Sequence, residues 1–116
     1  MQNGSPKSYD DMTVAQIKDK AKVQAQKVSR NASALSLIGV ARTQILQART
    51  SENQGDLKSA YSSYIKAVSL LQTFLESAEF KAETLPGKRG VLFKEHHDFQ
   101  QVRAHVLPYF FDSLSL

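Results

Sequence analysis

The run from Leu57 to Phe80 restricts the fold of this chain more than any other feature. Leu57, Ala60, Tyr61, Tyr64, Val68, Leu71, Leu75 and Ala78 recur at spacings of three and four, the period that sets side chains on one face of an α-helix. Ala67 and Phe74 widen one edge of that stripe and Ile65 widens the other, so the apolar arc covers about half the circumference. One neighbour cannot cover so wide an arc. This helix, running to about Phe80, is expected at the centre of the core, between two others.

The residues before it read as a stop and a start. Asn53, Gln54 and Gly55 end a preceding helix, glycine reaching the left-handed conformation at little cost, and Asp56 follows as an N-cap. Gly55-Asp56 is thus expected to be the turn of a helical hairpin. The preceding helix should run from about Ala32 to Glu52, with Ala34, Leu37, Ile38, Ala41, Ile45 and Ala48 as its main stripe. Leu35 and Leu46 fall on a different flank, near Gly39. A glycine inside a helix costs about 1 kcal/mol against alanine; either another backbone approaches closely there or the glycine is simply tolerated.

Upstream, Thr13 with Gln16 fits a capping box, and Val14, Ile17, Ala21, Ala25 and Val28 continue at helical spacing. Lys18 and Lys22 border one side of that stripe, Lys20 and Lys27 the other. Downstream, Pro86-Gly87 in LPGKRG predicts a turn. A shorter amphipathic segment from Val91 to Val106 can place Phe93, His96, Phe99, Val102 and Val106 on one face, and Pro108 disfavours its continuation. No period-2 alternation supports a strand. The expectation is an all-α bundle of three to four helices around an antiparallel hairpin: a flexible lead at 1–11, a helical domain at 12–107 and an apolar tail at 108–116, docked or truncated.

Several function classes lose their chemistry here. No cysteine is present among the 116 residues, which removes disulfides, thiolate metal sites and cysteine nucleophiles. No apolar run approaches the ~20 residues that cross a bilayer, so a soluble chain is expected. His96, His97 and His105 never stand four residues apart on a helix and form no HExxH pattern. Glu95 and Asp98 could be drawn with them as an acid–base pair, but nothing in the pattern gives them a pocket. Serines lie in no GxSxG setting, and the glycines form neither a phosphate cradle nor a dinucleotide fingerprint. No catalytic, cofactor-binding or metal-binding residue is assigned.

Charge is placed unevenly. Residues 1–50 hold eight Lys/Arg against three Asp/Glu, or +5, and residues 51–116 hold seven against eight, or −1. A basic front half suits an acidic partner, an anionic surface or nucleic acid, or is a solvated helix face. Nucleic acid ranks lowest, because the basic residues do not alternate with exposed aromatics and Tyr61 and Tyr64 lie on the apolar stripe. What remains is a bundle that works by binding, accepting a helix or peptide in a groove between two helices.

The helix, the GD turn and then Ala60-x-x-x-Tyr64-x-x-Ala67-Val68 resemble the hairpin of microtubule-interacting-and-transport (MIT) domains. The stretch from Thr13 to Lys81, with TVAQIKDKAK at its front and Glu79-Phe80-Lys81 closing the third helix, is similar to the amino-terminal MIT-like or dimerisation domains of endosomal deubiquitinases, of the ubiquitin-specific protease or AMSH type. The GD-x-x-x-A-x-x-x-Y pattern also suits a tetratricopeptide hairpin, although no second copy follows. The resemblance implies recruitment: binding of the C-terminal tails of ESCRT filament subunits by a cytoplasmic protein brought to endosomes, with indirect membrane association and no activity in this chain itself. By position, the groove would lie between the second and third helices, with Leu35 and Leu46 on one wall and Ile65 on the other, and Leu70 would make a separate contact. The alternative is a homodimerisation domain using Leu35, Gly39, the third-helix flank and the aromatic tail.

Overall fold

The computed structural model describes residues 11–104. They form α1 (Val14–Ser29), α2 (Ala34–Asn53), α3 (Leu57–Glu76), a short α4 (Ala78–Glu83) and α5 (Val91–Ala104), with no strand among the described residues. The protein is an all-helical bundle. The lead at 1–10, Val106, Pro108 and the apolar tail lie outside the described residues, as does the side chain of Val102.

Helix ends follow local capping chemistry. The Thr13 hydroxyl accepts from the Gln16 N–H, and the Gln16 side chain accepts in return from the Thr13 N–H, completing the capping box at α1. Ser33 caps α2 through the Ser36 N–H. At the hairpin, Gly55 takes φ +80 and Asp56 caps α3 by accepting from the Ser59 N–H at 3.2 Å. Gly87 takes φ +76 in the Pro86-Gly87 turn.

α3 is the central element, packed on both α1 and α2, while α5 lies against α2 and α4. The Lys58 ammonium donates to the Met12 carbonyl at 3.0 Å, which ties the start of α3 to the start of α1. The core combines Ile17, Ala21 and Ala25 of α1, the expected α2 stripe, and Ala60, Tyr64, Ile65, Ala67, Leu70 and Phe74 of α3.

Four expectations need correction. α3 ends at Glu76 rather than near Phe80, because the Ser77 hydroxyl accepts from the Phe80 N–H and starts α4. Val14 and Val28 are exposed, so the buried stripe of α1 is narrower than its spacing implied. On α3, Leu57 is 61% exposed and Tyr61, Val68 and Leu71 are only partly buried; with a neighbour on each side, the buried residues spread around the helix instead of following one stripe. On α5, Leu92 and Phe99 are buried whereas Phe93 is only half-buried.

Candidate functional site

Leu35, Gly39, Arg42, Leu46 and Arg49 follow one another on α2 at steps of four, three, four and three, so they form a single line along the helix. The core side of α2 is held by Ala34, Leu37, Ile38, Ala41, Ile45 and Ala48, all buried, and this line runs along the flank beside it: Leu35, Leu46 and Arg49 are exposed, whereas Gly39 and Arg42 are half-buried, Arg42 facing α5. Leu35 and Leu46 are each 50% exposed. Among the predicted partner-binding residues, Leu35, Gly39 and Leu46 therefore share one accessible edge.

Ile65 and Leu70 do not join them. Ile65 is 0% exposed and Leu70 1% exposed, both inside the core. The packing of α1 and α2 on α3 covers the flanks that would have been a groove wall, so neither residue can meet a partner without opening the bundle. Of the two readings of Gly39, close backbone approach or a tolerated glycine, the second fits the structure. A Cβ built there would find nothing within 4 Å among the described residues, so none of their backbone approaches it. The glycine leaves a shallow notch in this line.

Beside Leu46 an open cleft of about 400 Å³ is bounded by Thr43, Leu46, Gln47, Thr50 and Ser51 of α2 and Ser63 of α3. It carries one apolar side chain on a floor of hydroxyls and an amide. Thr43 and Thr50 hydroxyls donate back to the Gly39 and Leu46 carbonyls at 3.2 and 3.1 Å, so their methyl groups remain to contact a ligand. Thr43, Gln47, Thr50, Ser51 and Ser63 lie off the apolar stripes and are not among the predicted partner-binding residues. A signal existed for the threonines, which stand three before and four after Leu46.

Electrostatics along the line are mixed. The Arg42 guanidinium is paired with Glu95 of α5 at 2.6 Å, whereas Arg49, one turn beyond Leu46, is exposed. Elsewhere, burial pushes the Tyr61 phenol above its ordinary pKa. A hydrogen bond from Lys94 to Asp98, with that carboxylate's charge, raises the lysine on the exposed side of α5. Among the described residues no group of three or more His, Cys, Asp or Glu is placed to hold a metal ion. No described helix is long and apolar enough to cross a membrane.

No protein-family model, curated protein or solved structure matches the chain. A functional reading therefore rests on the helical architecture, the flank of α2 at Leu46 and the resemblance of the hairpin residues.

Proposed function

We propose that this chain is a non-catalytic interaction module of a ubiquitin-specific protease, which brings the deubiquitinase to endosomes by binding the C-terminal tails of ESCRT filament subunits. The observation that carries this reading is the exposed Leu46 on the flank of α2, with the cleft beside it and exposed Arg49 one turn on. An amphipathic tail can set one apolar side chain against Leu46 and its acidic residues near Arg49. With a single apolar anchor and exposed charge, affinity is modest and falls with salt. The protein acts in the cytoplasm and meets the membrane only through its partner.

The test is fluorescence anisotropy with labelled ESCRT tail peptides at about 50 and 300 mM salt, where screening differs strongly. Saturable binding, weaker at the higher salt and lost in Leu46→Asp, supports the proposal. No binding up to about 1 mM peptide, with the helical fold intact, overturns it.

Homodimerisation is the second reading, favoured by one observation: the notch at Gly39, flanked by exposed Leu35 and Leu46, is open for a second helix. Light scattering over a concentration series should then show a mass increase that Gly39→Leu removes. A monomer throughout excludes it.

A further inference from the structure

One imidazole sits where three helices meet. The His96 ring of α5 stacks on Phe74 of α3, with centroids 6.1 Å apart and planes 22° apart, and tilts against Phe80 of α4 at 5.2 Å and 58°. Phe74 and Phe80 are themselves in contact at 4.7 Å. Leu92 and Phe99, four before and three after His96, are buried on the same side of α5. His96 thus places an ionisable ring between Leu92 and Phe99 in the row by which α5 is seated.

The charged groups described around it are engaged elsewhere or exposed. On α4, Glu79 accepts from the Ala34 N–H and Glu83 accepts from the N–H groups of Gly90 and Phe93, while Lys81 is exposed. On α2, Arg42 is paired with Glu95; on α5 itself Lys94 is paired with Asp98. From α3, Phe74 meets the ring and Glu76 is exposed at the helix end. Among the described residues no carboxylate lies within ion-pair distance of His96. Its one polar contact among the described residues is with the side-chain nitrogen of Gln100, Nε2 to Nε2 at 3.2 Å. A neutral ring accepts that N–H, whereas an imidazolium has only donors to offer. Gln100 is exposed and can rotate its amide, so the greater cost of protonation is the loss of water around a charged ring between two phenyl groups.

We propose that α5 is a pH-sensitive cover: protonation of His96 weakens the docking of α5 on Phe74 and Phe80 and raises the population in which the apolar surface that Leu92 and Phe99 fill is open. Burial, and secondarily the neighbouring His97, hold the docked imidazole below the ordinary histidine pKa. The released helix regains the ordinary value of about 6.5 and so binds more protons than the docked one between the two midpoints. Docking is then complete above the ordinary value and weakens as pH falls through it. This inference is independent of the partner proposed for α2.

The experiment is an NMR titration of the whole 116-residue chain from about pH 7.5 to 5, the range of histidine. It follows the ring carbon–proton shifts of His96 and His97 and the amide-exchange protection factors along α5. The expected result is a His96 midpoint below the ordinary histidine value of about 6.5, with protection at Phe93 and Phe99 falling in step. The total loss is about tenfold for each pH unit between docked and released midpoints, while Ala41 and Ala67 stay protected. His96→Phe keeps the apolar fill and should hold α5 protected throughout; His96→Gln, also without charge, should show a flat profile even where its packing is looser. Three results overturn the proposal: a His96 midpoint at or above the ordinary value, as stabilisation of the cation by the phenyl faces would give; α5 protection unchanged across the titration; or the same acid-induced loss in both variants.

Discussion

The Tyr64 hydroxyl of α3 donates to the Glu52 carboxylate of α2 at 2.9 Å, bracing the hairpin across the Gly55-Asp56 turn. Tyr64 is fully buried, so its polar tip reaches the edge of the core where Glu52 is half-buried. Tyr64→Phe keeps the ring and removes the bond to a charged acceptor. It should cost about 1–2 kcal/mol, lowering the midpoint of thermal unfolding by roughly 4–10 °C.

The outward and inward leucines and isoleucines differ in what they support. Ile65→Ala and Leu70→Ala each leave a cavity in a closed core and should cost about 2–5 kcal/mol in chemical denaturation. Leu35→Ala and Leu46→Ala remove half-exposed side chains and should change stability by about 0.5 kcal/mol or less. Equal losses at all four positions would contradict the assignment of Leu35 and Leu46 to the surface.

Two glycines should respond with opposite signs. Gly55→Ala forces a side chain into φ +80 and should destabilise by about 1 kcal/mol. Gly39→Ala meets nothing within 4 Å and should stabilise α2 by about 0.5–1 kcal/mol. Paired denaturant curves, with the linear slope checked for constancy, read both effects.

Glu83 caps α5 from a distance, its Oε1 accepting from the Gly90 and Phe93 N–H groups at 3.0 Å each. Glu83→Ala should cost about 1 kcal/mol and raise amide exchange at Phe93 ahead of the rest of α5. Gly90→Ala should have a smaller effect in the same direction, because its Cβ would lie 3.0 Å from the same oxygen.

The hairpin was legible because its signals are local. Thr13 with Gln16, and Gly55 with Asp56, act over one turn of chain, and the α2 stripe needs only its own period. The break at Ser77 was also open to local reading, since a serine followed by Glu79 in the first turn is a helix start within a continuous apolar pattern. The fates of Ile65 and Leu70 were not legible. Periodicity gives the direction of a side chain but not the number of helices packed around it, and α3 has neighbours on both flanks. Long-range caps were equally hidden: the Glu79 carboxylate covers the Ala34 N–H across 45 residues, a pairing created only when α4 reaches the start of α2. The cleft beside Leu46 depends on Ser63 from the next helix and so appears only with the fold.

Chemical-shift mapping with an ESCRT tail peptide tests recruitment through α2 most directly. Binding at the Leu46 flank should shift the amides of Thr43, Leu46, Gln47, Thr50 and Ser63 in a saturable way, leave Ala21 and Ala25 of α1 in place, and vanish in Leu46→Asp. Saturable shifts confined to other surfaces, or none at concentrations where the folded chain is fully exposed to peptide, would contradict it.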